Sequence, residues 1–433
     1  MNSILNIDQK YKVDESISNY ETYGFYPITG TNLNNAGNIT IIVQNSDCFY
    51  QPSRSWLEFE GKVESTTDAN YTAATLISLA NNGIMYLFDN IKYLLSSSEV
   101  ESVFHPGHAS TIMGLAKYPS SFTTGLSQCW ALDSDDTPTA TNIGFTYRRK
   151  LILTSAPTPL GSFRFAVPLS HIFGFCEDYD KVIYGFQHSI VLTRSSSDND
   201  ALFRRIDIEH DVNNVPDGKV TLDKVRWMLP RCSPSDVARY ELFKQIESKV
   251  VLDVGFRMRQ CISISASKSN EFTWRLGVKS APEQPRYIFI AFQKARHGNQ
   301  QKNIAAFDDC GLTSAHILLN GDRYPLNDFD IDFTKNHFDT IYEDFASFIQ
   351  RFYGLDRMIV SSAVDPLLYK SIYPILMFDV SKQSERLKSG ITDITLHCRF
   401  KAELDGTERC HAVMISDRKL RFQSDGNKMV VLY

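Results

Sequence analysis

The chain has 433 residues, 43% of them apolar and 12% aromatic, with 28 Phe, 20 Tyr and a formal net charge of −5. That length exceeds one ordinary core and points to two or three domains, and the aromatic share suits pleated, half-buried surfaces. The acidic balance, with only Lys10 and Lys12 as cations in the first 20 residues, speaks against a protein whose main task is coating nucleic acid, because such proteins carry a basic patch or tail.

In chain order, an N-terminal arm over 1–34 precedes expected strands at 38–44, 55–63, 84–95, 143–154, 162–169, 181–194 and 201–208. Turn-rich pieces such as TTDANYT, DSDDTPTATN and SSSDND separate them. A short helix is expected at 108–117, where Ile112, Met113, Leu115 and Ala116 share one side. The stretch 160–195 is the most informative. Phe163, Phe165, Val167 and Leu169 recur every second residue, the period of a strand. An aromatic loop at 171–179 follows, and then a second, longer strand.

The polar run HDVNNVPDGK at 210–219 reads as a linker. Beyond it, strands are expected at 219–229, 250–264, 271–278, 286–294, 315–319, 324–333, 373–378, 392–401, 411–422 and 429–432. A helix at 234–245 would start with Ser233 as cap and Pro234 in its first turn. Another at 337–353 carries Phe338, Ile341, Tyr342, Phe345, Phe348, Ile349 and Phe352 at helical spacing. The fold class that follows is all-β: two tandem eight-stranded jelly-roll β-sandwiches with a few short helices in loops. The expected division is 1–34 arm, 35–212 first jelly roll and 213–433 second jelly roll.

Motifs for chemistry are sparse. The chain contains no GxxxxGK[ST], GxGxxG or HExxH run, and no cofactor is expected. The eight cysteines form no CxxC and read as reduced, mostly buried thiols of a protein folded inside a cell. No apolar run approaches the roughly 20 residues of a transmembrane span, and the N-terminus lacks an apolar core of signal-peptide length. The Asn-x-Thr sequons at Asn38 and Asn70 read as chance occurrences.

His105 and His108 in FHPGH lack a third ligand and read as turn residues. Cys129 in Gln128-Cys129-Trp130 is followed by an acidic loop, which would raise a thiol pKa and not activate it. Asp328, Asp330 and Asp332 alternate with Phe329, Ile331 and Phe333. On a strand they would form a solvated acidic face, or else a weak calcium site. Arg148, Arg149 and Lys150 make the densest basic cluster, while Arg226, Arg257, Arg259 and Arg275 lie on other strands beside aromatic residues or Met258. These positives fit strand surfaces or subunit contacts better than a single-strand nucleic-acid platform, and no direct sequence-specific nucleic-acid binding is expected.

The order of segments resembles the double jelly-roll major capsid proteins of large DNA viruses, adintoviruses and Polinton/Maverick-type elements. Phe165, Pro168, Leu169, Phe173 and Phe175, and then Ile183, Tyr184, Phe186, His188, Ile190 and Leu192, match the end of the first barrel in that family. WLEFEGKV at 56–63, LFDNIKYLLSSSEVESV at 87–103, HILLNGDRYP at 316–325, YPILMFDVS at 373–381 and SGITDITLHCRF at 389–400 resemble further strands. The loop HIFGFCEDYDK is more acidic than its giant-virus counterpart, which favours the smaller Polinton- or adintovirus-like branch.

The resemblance implies a non-catalytic building block of an icosahedral virion shell, made and folded inside the host cell. It implies a homotrimer with six barrels around a three-fold axis, burying about 2,000 Å² or more as obligate assemblies do. Capsomer–capsomer contacts and penton or minor capsid proteins would be its further partners. Phe173, Phe175, Arg148 and Arg149 are the candidates for a subunit interface or barrel end, and loops 66–75, 131–142 and 294–309 for the outer tower or trimer seams. The alternative is a β-sandwich binding protein outside the shell lattice, such as a receptor- or glycan-binding spike or a minor capsid protein.

Overall fold

A computed structural model of the chain describes residues 16–28, 30–67, 71–122, 127–153, 161–205, 215–279, 283–356, 359–382, 390–424 and 429–432. In the first half the strands are β1 (Ile17–Phe25), β2 (Gly37–Val43), β3 (Phe49–Tyr50), β4 (Trp56–Ser65), β5 (Ile77–Leu79), β6 (Phe88–Leu95), β7 (Ser98–Phe104), β8 (Ser162–Pro168), β9 (His188–Arg194), β10 (Leu202–Arg204) and β11 (Gly218–Pro234). The helices among them are α1 (Pro106–Lys117), α2 (Ile143–Ile152), α3 (Leu169–Ile172) and α4 (Gly174–Asp178), and α5 (Asp236–Glu247) follows. The second half runs β12 (Leu252–Ser265), β13 (Glu271–Lys279), β14 (Pro285–Lys294), β15 (Leu312–Leu319), β16 (Asp322–Tyr324), α6 (Asp339–Ala346), α7 (Phe348–Tyr353), α8 (Pro366–Ile372), β17 (Ile375–Asp379), β18 (Thr392–Phe400), β19 (Glu408–Ser424) and β20 (Met429–Leu432).

The same wiring occurs twice. One sheet of the first half has the order β1-β11-β4-β8 and its partner β2-β9-β6-β7; the second half has β12-β19-β14-β17 and β13-β18-β15-β16. Numbering the eight core strands of either half in chain order gives 1-8-3-6 and 2-7-4-5 both times. All pairs are antiparallel, and this order is the jelly-roll wrapping. The short strands β3 and β20 extend one sheet in each half, and β5 with β10 forms a separate two-stranded ribbon.

Local chemistry explains the sandwiches. Phe163, Phe165 and Val167 of β8 are buried while Arg164 between them is exposed, the alternation a one-side-buried strand requires. Ile39, Ile41 and Val43 of β2 and Ile394, Leu396 and Cys398 of β18 do the same. All eight cysteines are free and seven are buried.

Several expectations are corrected. The chain does not pass to the second sandwich near residue 213, because β11 pairs with β1 and β4 as the last strand of the first one. By strand pairing the passage falls at α5; of the expected linker at 210–219, residues 210–214 lie outside the described residues and 218–219 open β11. Part of the expected arm is the edge strand β1. Residues 143–154 were expected as a strand, yet 143–152 form helix α2: Asn142 accepts a hydrogen bond from the Phe145 amide at 3.2 Å as its cap, and Arg149 and Lys150 sit in its last turn. The expected strand at 324–333 does not form. β16 ends at Tyr324, and Asp332 caps a short 3-10 turn at 333–335.

The helix expected at 337–353 is broken at Ser347 into α6 and α7. Helix α5 has neither Ser233 as its cap nor Pro234 in its first turn, because β11 runs on through Pro234 and α5 begins at Asp236. The aromatic loop 171–179 is built of α3 and α4, and of 181–194 only His188–Arg194 is strand.

Candidate functional site

A dense set of buried polar contacts lies between the two sandwiches, where the aromatic segment of the first meets β12 of the second. Here α3 and α4 turn the chain sharply, and Gly174 comes against the backbone of β12. A Cβ placed on Gly174 would lie 1.8 Å from the Arg257 carbonyl oxygen, so only glycine lets the two segments touch. The amides of Gly174 and Phe175 donate to the Glu101 carboxylate at 3.1 and 2.8 Å, and the Arg259 amide donates to the same group at 2.8 Å. Glu101 on β7 thus ties its own sandwich to the other through three backbone donors. Burial pushes its carboxyl up to about 7 in spite of them.

Around this contact the charges are paired. Asp178 accepts from the Arg257 guanidinium at 2.6 and 2.9 Å and from the Arg257 amide at 2.8 Å. That guanidinium also lies 3.6 Å from the centre of the Phe352 ring. Glu177 meets Lys117 at 3.0 Å and the buried Arg259 as well. Burial alone would raise the Glu177 carboxyl, but the two cations reverse this and hold it at about 2. The aromatic rings of the same segment face both ways: Phe175 packs on Tyr93 at 5.5 Å and on Phe256 of β12 at 5.2 Å.

Two more ties lie farther along the seam. His108 on α1 stacks on His411 of β19 at 3.9 Å, and the Nε2 atoms of both lie 3.1 Å from Gln293 Oε1. Burial drives both imidazoles below their ordinary pKa, His108 to about 3, so they are neutral and both Nε2–H groups donate to the amide oxygen. Finally, Asp133 accepts from Arg148 at 2.7 Å and from Asn303 Nδ2 at 3.0 Å, while Arg296 joins Asp136 and Asp308 at 2.8 and 2.7 Å. Loops 131–142 and 294–309 therefore clasp each other across the two sandwiches.

A family model described as "Double jelly roll-like domain" matches residues 77–420. The chain belongs to this double jelly roll-like family. Solved structures agree in fold. A chain of the Sputnik virophage structure is 8% identical, with a TM-score of 0.63 over 99% of this chain and 91% of its own. The mavirus major capsid protein is 11% identical, with 0.56 over 99% and 92%. The Faustovirus major capsid protein is 10% identical, with 0.57 over 98% and 93%. Against curated proteins the chain finds no match.

Within the double jelly roll, the residues singled out from sequence occupy varied places. Phe173 and Phe175 are both 0% exposed inside one chain, which leaves no side-chain surface for a neighbouring subunit. Arg148 is likewise fully buried and ion-paired within the chain. Its neighbour Arg149 donates to the carbonyls of Ala73 and Thr75 at 2.8 and 3.3 Å.

Asp328, Asp330 and Asp332 lie on a loop and share no strand face. Asp328 is paired with Arg323 and Ser314, and Asp332 caps the following turn. Among the described residues no three His, Cys, Asp or Glu side chains gather as a metal-binding group. The Cys129 thiol is buried and driven up to about 11 by that burial, the opposite of an activated nucleophile. No described helix is long and apolar enough to cross a membrane.

Sequence reasoning missed Glu101, Gly174, Asp178 and Gln293. For Gly174 a signal exists: a glycine flanked by Phe173 and Phe175 marks a close backbone approach. A lone Glu, Asp or Gln carries no comparable mark.

Proposed function

We propose that the protein is a major capsid protein: a non-catalytic subunit that trimerises into a pseudo-hexagonal capsomer and tiles an icosahedral virion shell. The observation that carries this reading is the duplicated jelly-roll wiring, which supplies two barrels per chain and therefore six around a three-fold axis. Family membership and the fold shared with capsid subunits of mavirus and Faustovirus support it. The seam adds a physical reason. A lattice subunit has to present its two barrels in one fixed orientation, and four sets of buried polar ties hold them so.

In this reading residues 16–234 form the first roll and 252–432 the second, with α5 between them. The exposed side chains of Ile17, Tyr20, Tyr23 and Tyr26 on and beside β1, and of Ile143, Tyr147 and Leu151 on α2, are apolar surface that neighbouring copies would cover. Penton or minor capsid proteins would meet the same shell.

Light scattering and electron microscopy of the purified chain test the proposal. Trimers and hexagonal capsomers are the expected result. A strictly monomeric species across protein concentration and salt would overturn it.

A further inference from the structure

His316 of β15 and His397 of β18 are direct register partners on neighbouring antiparallel strands. Their rings stand 5.1 Å apart and only 12° from parallel. Both side chains are half-buried and alternate with the buried Ala315, Ile317, Leu396 and Cys398, so both imidazoles lie on the outer face of the sheet. Nothing in the capsid reading uses them.

We propose that His316 and His397 form a two-imidazole binding site for a zinc-class divalent cation on the outer face of the second roll. Imidazole nitrogen suits Zn2+, Cu2+ and Ni2+ and not the oxygen-seeking Ca2+ and Mg2+. Directly opposed residues of an antiparallel pair have Cβ atoms about 4.5–5.5 Å apart. Two Nε2 atoms sharing one tetrahedral ion stand about 3.3 Å apart, given metal–nitrogen bonds of about 2.0–2.1 Å. The stacked rings, 5.1 Å apart, would have to turn about their side-chain torsions to reach that bite.

The orientation of one ligand is already set. Thr273 Oγ1 on the adjoining β13 lies 3.0 Å from His397 Nδ1. With Nδ1–H donating to that hydroxyl oxygen, Nε2 keeps its lone pair, which is the outer-shell arrangement of metal-bound histidines.

Arg399 is paired with Glu271 at 3.1 Å and Arg323 with Asp328, which offsets part of the positive charge beside the two imidazoles. Among the described residues no third ligand of the usual kinds joins the pair. The ion's remaining positions belong to water or to a donor from another molecule.

Isothermal titration of the folded full chain with ZnCl2 tests the site. Saturable binding of one ion per chain is expected, with His316→Gln and His397→Gln each weakening it about tenfold or more. The exposed His337→Gln is expected to leave it unchanged. Thr273→Val, a positioning change, is expected to weaken binding while both ligands remain. If a Gln variant melts early, the Cu2+ electron paramagnetic resonance spectrum of the unaltered protein decides, because two imidazole nitrogens coupled to one copper are expected. Absence of saturable zinc binding, equal affinity in the double His variant, or a copper spectrum without imidazole coupling would overturn the proposal.

Discussion

Glu101 is the residue on which the seam's response to pH turns. Its ordinary value is 4.5 and burial raises it to about 7 in the folded protein. The stability it contributes is therefore fully present below about 4.5 and is lost as pH rises through about 7, on the order of 3 kcal/mol at most. Buried histidines act in the opposite sense. His108 and His188 are lowered from 6.5 to about 3, and His171 and His411 fall well below 6.5, all first through burial. The unfolded chain takes up protons at these four sites below about 6.5, so stability falls as the solution is acidified through that value.

Four groups outweigh one, and the protein is expected to be acid-labile in urea melts. Glu101 can be isolated by difference. Stability of the unaltered chain minus that of Glu101→Gln should decline between about pH 4.5 and 7; a flat difference would show that Glu101 does not change its protonation there. None of this was legible in the sequence, because a carboxylate's pKa depends on its partners, and Gly174, Phe175 and Arg259 lie 73, 74 and 158 residues away.

At the scale of elements, the strands were more legible than the helices. β4, β8, β12 and β18 alternate apolar and polar residues over long runs, and a period of two survives any tertiary context. Helix α2 misled because IGFTYRRKLI is rich in strand-favouring types. The decisive signal was its flanks, Asn142 before and Arg149 and Lys150 at the end. Buried Asn142 accepts from the Phe145 amide through Oδ1 and donates through Nδ2 to the carbonyls of Asp135 and Thr137 at 2.7 and 3.0 Å. Replacing it with Ala removes a cap and two part-buried hydrogen bonds to the Asp135 and Thr137 carbonyls. The expected cost is about 2 kcal/mol by denaturant melt. Asn142→Asp should lose less, since it keeps the cap; equal losses would count against capping as the cause. The false strand at 324–333 failed for the converse reason. Its alternation was real, but Asp328 and Asp332 are occupied in a side-chain pair and a cap.

At the scale of the whole molecule, the two rolls are one body. Their buried side chains form a single continuous apolar cluster that takes in Ile39 and Phe163 as well as Phe256 and Phe422. Two domains of this size joined by a simple linker would be expected to unfold separately. Here calorimetry of the unassembled chain is expected to show one transition, because unfolding either roll bares the other roll's share of the common apolar cluster to water and takes away hydrogen-bond partners of Glu101, Asp178 and Arg259. The test is Gly174→Ala. A Cβ there would collide with the Arg257 backbone carbonyl, which no rotamer change relieves, so the seam opens at a cost of about 1–3 kcal/mol or more. The strand pairing within each roll is untouched by that substitution. The single transition should therefore fall in temperature and divide into two, each with roughly half the original enthalpy. Two transitions in the unaltered chain would mean that the seam does not couple the rolls. A Gly174→Ala variant that melts as one unit at the original temperature would mean that the aromatic segment can yield without loss.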